Sequence, residues 1–299
     1  MTSTLGAARL RWACLLCALC VIAAALLVLG DTARRMLWAS ILVQLAVGDL
    51  AALPLALGLS EAPLARLRRA VPARVCLGRL GDPPVAFGLW VLDLCVWHLG
   101  VVSSAAQRHA GVQALEYLCL LGFAVNMWMC LLGPRRPPAW FGHRARLAYI
   151  LVGRLVLAGF GNLLLWSRGL LYPGFAAADA HSHLSALADQ ALAGAIVVAE
   201  SAALALCLLC WLYVRVKRES DERRLLLDYA EARGLRLPAE RAERAAADGR
   251  ALELCRRLEA LLETPARQPP ATAGRIVSSA PSATGVARPS RKRMSSPAR

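Results

Sequence analysis

Six stretches of the chain stay apolar over about 20 residues with few charges: roughly 13–30, 37–58, 85–106, 113–133, 147–166 and 190–215. That length crosses a bilayer as a helix. Lipid gives backbone amides no partner, so such runs must be helical. They lack the alternation and the short strands of a membrane β-barrel. The pattern predicts an all-α polytopic membrane helical bundle of about six transmembrane helices. The first run also fits a signal peptide, with Arg9 and Arg11 ahead of an apolar stretch. It has no clear small-x-small cleavage site before Asp31 and is long enough to span, so the expectation is an uncleaved helix.

Past the last run the pattern changes. Residues 216–264 are charged and Leu/Ala-rich, with Leu252, Leu254, Leu258, Leu261 and Leu262 at helical spacing. This predicts a cytoplasmic charged helical segment, one or two amphipathic helices broken near Pro238. Residues 265–299 are Pro/Ser/Thr/Ala-rich, with seven basic residues and no acid. Such a segment cannot bury a core and is expected to be a disordered basic tail.

Composition strengthens the membrane reading. Hydrophobic residues make up 58% of the 299, mean hydropathy is +0.48, and 18% are charged, against about 25% in soluble domains. The net charge of +15 could suggest nucleic acid. The basic residues, however, lie between and after the apolar runs, so a lipid bilayer is the expected partner and nucleic acid is not. Lys/Arg counts in the short loops set orientation. Arg9, Arg11, Arg66, Arg68, Arg69, Arg74, Arg79, Arg135, Arg136, Arg144 and Arg146 fall on one side, against Arg34, Arg35, Arg108 and Arg168 on the other. Both termini are therefore expected to be cytoplasmic. Trp12, Trp38, Trp140, Trp166 and Trp211 mark span ends, while Trp90, Trp97 and Trp128 lie deeper, as packing residues.

Ionisable groups inside spans are costly and default candidates for function. They and the in-span amides are Gln44, Asp49, Asp93, His98, Glu116, Asn126, Arg154, Asn162 and Glu200. Arg154 needs a counter-charge from Asp93, Glu116 or Glu200, either as a clamp between helices or as a binding or proton-handling group. Asp93 and His98 are five residues apart, about 140° round a helix, so one ligand would not meet both. Cys14, Cys17 and Cys20, and Cys207 and Cys210, have C-x-x-C spacing inside spans. Thiolates suit Cu(I), but cysteine also packs as a small apolar residue, and packing is the expectation. His181 and His183 form a loop pair that is expected to be solvated. No phosphate loop, nucleophile elbow or H-E-x-x-H occurs, so no enzymatic chemistry is expected.

The order of these features resembles the polytopic CtaG-like (caa-type) family of cytochrome c oxidase assembly factors, over about residues 37–262. Residues 187–200 (L-A-D-Q-A-L-A-G-A-I-V-V-A-E) resemble the family's D-Q-x-x-[GA]-G entry to the last span and its in-span Glu. Residues 218–228 resemble a charged exit, and residues 249–262 a following helix, of actinobacterial members. Trp97-His98-Leu99 is similar to W-H-[LI], Tyr172-Pro173 to a Y-P before the last span, and residues 55–58 to L-x-L-G. Departures are concentrated at histidines. The family's H-M-x-x-H reads Ser40-Ile41-Leu42-Val43-Gln44, and its H-x-x-E-H reads Gln113-Ala114-Leu115-Glu116-Tyr117.

The resemblance implies a bacterial plasma-membrane protein that helps copper reach a cytochrome c oxidase core subunit, without turnover. His98, with Glu116, would be the remnant of the site. Asp189, Gln190 and Glu200 would position the last span, Asp189-Gln190 doubling as its N-terminal cap. With Ser40, Gln44, Gln113 and Tyr117 in place of histidines, copper would need the cysteines, or metal binding has been lost; the donor set favours loss. Two other classes compete. A transporter would use Arg154 with Asp93 or Glu200 as a relay, and should show broken helices or repeats, neither clear in the sequence. A scaffold would recruit a partner through its C-terminal tail.

Overall fold

The computed structural model describes residues 2–59, 80–133, 138, 140–180, 183–247 and 249–263. The second loop with its five arginines, Arg135, Arg136, His181 and the tail from 264 lie outside the described residues. Helices are α1 (Thr2–Ala33), α2 (Leu37–Gly58), α3 (Pro83–Trp97), α4 (Gly100–Arg108), α5 (Ala110–Leu132), α6 (His143–Trp166), α7 (Ala186–Ala232), α8 (Ala239–Ala247) and α9 (Ala251–Glu263). No strand occurs among the described residues.

Five helices, α1, α2, α5, α6 and α7, are long and apolar enough to cross a membrane. The expected third span, 85–106, is instead two helices bent by 70°. The turn falls at His98 (φ −92°, ψ 3°) and Leu99 (ψ 129°), where helical hydrogen bonding stops. The break the sequence did not reveal is therefore real. The pair runs from one end of α5 to the other. At its start, Leu80 O accepts from Asn126 Nδ2 (2.8 Å) and Gly81 O from Cys130 Sγ (3.5 Å), near the end of α5. Its far end reaches the turn from which α5 begins. α3 thus runs antiparallel to α5, and α4 turns aside at the far level.

The chain up to Glu222 forms one compact unit. Its polarity is inside out for a water-soluble protein. Asp49, Asp93, Glu116, Arg154, Asp189 and Gln190 are buried, whereas Leu27, Leu118, Leu155 and Leu206 are each more than 60% exposed. Outward leucines and inward charges suit a lipid solvent. The core is aromatic and aliphatic around Trp90, Met127, Trp128, Met129 and Leu208.

Small residues set the closest helix contacts. A Cβ on Gly194 would sit 2.5 Å from Gly161 O, and one on Gly161 would sit 2.9 Å from Gly194 O. Backbones of α6 and α7 therefore meet directly, as small residues allow in membranes. At the α1–α2 contact, a Cβ on Gly58 would meet Leu15 at 2.9 Å.

α7 does not end with its apolar stretch but continues as one helix to Ala232. The second unit, from Arg223, packs Leu226, Ala242, Leu254 and Leu258 into a small core. Leu252, expected on that apolar face, is exposed. Gly234 and Gly249, both at φ +66°, end α7 and α8. In each case the next amide reaches back five residues, Leu235 N to Ala230 O and Arg250 N to Ala245 O.

Candidate functional site

The centre of the first unit holds an ion group built by α2, α6 and α7. Arg154 on α6 donates from Nη1 to Asp49 Oδ2 (3.1 Å) and from Nη2 to Asp49 Oδ1 (3.3 Å). Glu200 Oε2 on α7 stands 3.6 Å from the same Nη1. Both Glu200 oxygens are buried without a hydrogen bond. The guanidinium lies over the Trp128 ring, 5.4 Å from its centroid. Ser201 Oγ donates to Arg154 O at 2.8 Å and joins α7 to α6 at the same level.

This corrects one expectation. The main counter-charge of Arg154 is Asp49, not Asp93 or Glu116, with Glu200 second. Local backbone explains the choice. Residues Ala46–Ala51 of α2 form a π-helical turn, and Asp49 sits within it. The extra residue in that turn rotates the faces of α2 relative to an ideal helix. Ser201 escaped the sequence reading, and Trp128 was expected only as a packing residue. Nothing in their types marks them, although Ser201 adjoins Glu200.

Asp189 and Gln190 do not cap their own helix, because Ser185 Oγ already accepts from Ala188 N at 3.2 Å. Asp189 instead caps α2 from across the bundle. Its Oδ2 accepts from Leu37 N (2.7 Å) and its Oδ1 from Trp38 N (3.0 Å). Those amides begin α2, whose N-cap Met36 supplies no side-chain bond. A carboxylate there also meets the positive end of the helix dipole. Gln190 Oε1 accepts from Leu171 N (2.7 Å), and its Nε2 donates to Gly169 O (3.2 Å), fixing the loop after α6.

His98 closes the end of α3. Its Nδ1 lies 2.8 Å from Leu94 O, an acceptor, so that nitrogen carries the proton. The ring packs edge-on against Phe160, centroids 4.3 Å apart, and Tyr172 OH donates to His98 O at 3.5 Å. Burial, with the Glu116 carboxyl group behind it, pushes the Tyr172 phenol above its ordinary value. Asp93 turns away to accept from Trp97 Nε1 at 2.8 Å.

His98, Gln44 and Asp49 line one small pocket with Trp90, Leu157 and Phe160, with a cavity volume of about 40 Å³. Gln44 Nε2 donates to Glu116 Oε1 at 2.7 Å, and Gln113 Nε2 to Tyr117 OH at 3.3 Å. The site thus gathers three of the four positions at which the resemblance puts histidine into polar pairs. Cys17, Cys20, Cys207 and Cys210 are exposed, and Cys14 is half-buried. Among the described residues, no group of three or more His, Cys, Asp or Glu side chains is placed to hold a metal. One imidazole among amides, a phenol and a carboxyl group does not fit copper.

Comparison with curated proteins found no match. Comparison with solved structures found none either. A family model described as cytochrome c oxidase caa3 assembly factor (Caa3_CtaG) matches residues 5–219. The match begins ahead of residue 37, taking in most of α1, and it ends at 219, so the resemblance expected at 249–262 and over most of 218–228 lies beyond it. It covers the entire ion group, the pocket, and both crossing glycines. The chain therefore belongs to the cytochrome c oxidase caa3 assembly factor family.

Proposed function

We propose that this protein assists maturation of a haem–copper oxidase as a non-enzymatic membrane assembly factor, by engaging an oxidase core subunit within the bilayer rather than by handing over copper. It would sit in a bacterial plasma membrane with both termini in the cytoplasm. The observation that carries the reading is the state of the family's histidine positions. Gln44 on α2 is tied to Glu116 on α5, and Gln113 to Tyr117 within α5, so these positions bond to neighbouring side chains, and one bond joins two helices. Family membership supports the setting, as do five helices, with the bent α3–α4 pair, long and apolar enough to span a bilayer.

The test is deletion of the gene followed by haem-a difference spectra and blotting of the core oxidase subunits. Loss of mature oxidase, restored by wild type and by His98→Ala, is the expected result. Unchanged oxidase in the deletion strain would refute the role.

A second reading draws on the broken α3–α4 pair, a feature found in transporters, and on the buried Glu200 carboxylate, which pairs with Arg154 but accepts no hydrogen bond. In that case proteoliposomes would show solute or proton flux that Arg154→Gln abolishes, while oxidase levels stay normal.

A further inference from the structure

We propose that the end of the bundle where α6 begins and the apolar part of α7 ends is a binding site for the headgroup of an anionic phospholipid, centred on Arg146. Arg146 is 92% buried by its 8% exposure, yet its Nε is buried with no hydrogen-bond partner among the described residues. A buried cation without a counter-charge in contact is costly, and the cost falls when an anion binds.

The surroundings supply more positive charge. Arg215 and Glu219 on α7 lie within electrostatic range of Arg146. Glu219 is already engaged: its Oε1 accepts from Arg215 Nε at 2.8 Å and its Oε2 pairs with His143 Nε2 at 3.1 Å. One carboxylate therefore serves Arg215 and His143 by contact and reaches Arg146 only at longer range. The first turn of α6 adds to this. Its N-cap is Gly142, which has no side chain to bond the opening amides. Free amides and the helix dipole at such a start favour an anion.

Aromatic residues identify the level. Trp140 is exposed just before α6, and Arg215 lies over the Trp211 ring, 5.5 Å from its centroid. Indoles prefer the membrane–water interface, where phosphates reside. Basic pockets between membrane helices at that level recognise anionic headgroups through the phosphate. A free phosphate ion shares that chemistry, but it would lack the acyl chains that lie along the exposed leucines of α6 and α7.

The test uses the full chain, purified and delipidated in a neutral detergent. Thermal unfolding is followed with added phosphatidylglycerol, phosphatidylcholine or inorganic phosphate. Phosphatidylglycerol in about hundredfold excess over Kd is expected to raise Tm by about 5 °C. Phosphatidylcholine and inorganic phosphate should each give less than a quarter of that. Arg146→Gln should lose most of the shift, whereas Arg144→Gln, at an exposed neighbour, should keep it. Should Arg146→Gln fail to fold, Arg215→Gln serves the same purpose: it frees Glu219 to neutralise Arg146 and should also lose the shift. An undiminished shift in Arg146→Gln, or in Arg215→Gln where that stands in, overturns the site. So does an equal shift with phosphatidylcholine. An equal shift with inorganic phosphate overturns the lipid as occupant.

Discussion

Arg154 holds Asp49 with both terminal nitrogens, across 105 residues of sequence, in contacts of 3.1 and 3.3 Å. Each residue is 4% exposed. The pair ties α6 to the π-helical turn of α2 at a depth where neither charge can reach water. Removing one member leaves the other buried and unmatched. Arg154→Gln or Asp49→Asn should therefore destabilise the bundle by about 3–5 kcal/mol. Replacing both by apolar residues of similar size should cost much less. Denaturation of the two single variants and the double variant in detergent measures the coupling directly, and independent, additive effects would contradict it.

Asp189 should behave as a cap for a helix other than its own. Asp189→Ala leaves the Leu37 and Trp38 amides without their acceptor. The expected loss is about 1–2 kcal/mol, with Asp189→Asn retaining part of it. Hydrogen exchange should localise the change to the first turn of α2. Exchange increased at the start of α7 instead would return Asp189 to the conventional capping role.

The direct contact of α6 with α7 depends on glycine. Gly194→Ala places a methyl 2.5 Å from Gly161 O, a backbone atom that cannot move aside without shifting a helix. Overpacking of this kind costs about 1–3 kcal/mol. Gly122→Ala, where a Cβ meets nothing within 4 Å, is the matched control and should be neutral or slightly stabilising. Equal unfolding midpoints for the two variants would show that the helices are not in contact there.

The legibility of this chain divides by length scale. The apolar runs announced the spans, because lipid forces a helix on any run of that length. The inventory of in-span polar groups was complete enough to contain Asp49, Arg154 and Glu200. What it did not contain was their pairing. That depends on a π-helical turn at Ala46–Ala51, which rotates Asp49 and has no residue signature. Asp189 was likewise assigned to its own helix, since a sequence shows near neighbours and not an amide on a helix 152 residues away. The turn at His98 stayed hidden for a related reason. Residues 94–100 contain no proline, and the bend rests on Tyr172 and Phe160 packed round His98.

The proposed role needs no copper site, and copper loading of the purified protein tests that most directly. The reduced wild-type protein and His98→Ala would be offered Cu(I) beside a competing chelator and then analysed for metal. The expected result is substoichiometric copper that is the same in both. A full equivalent bound by wild type and lost in His98→Ala would contradict the account and restore a metal-relay role to the pocket.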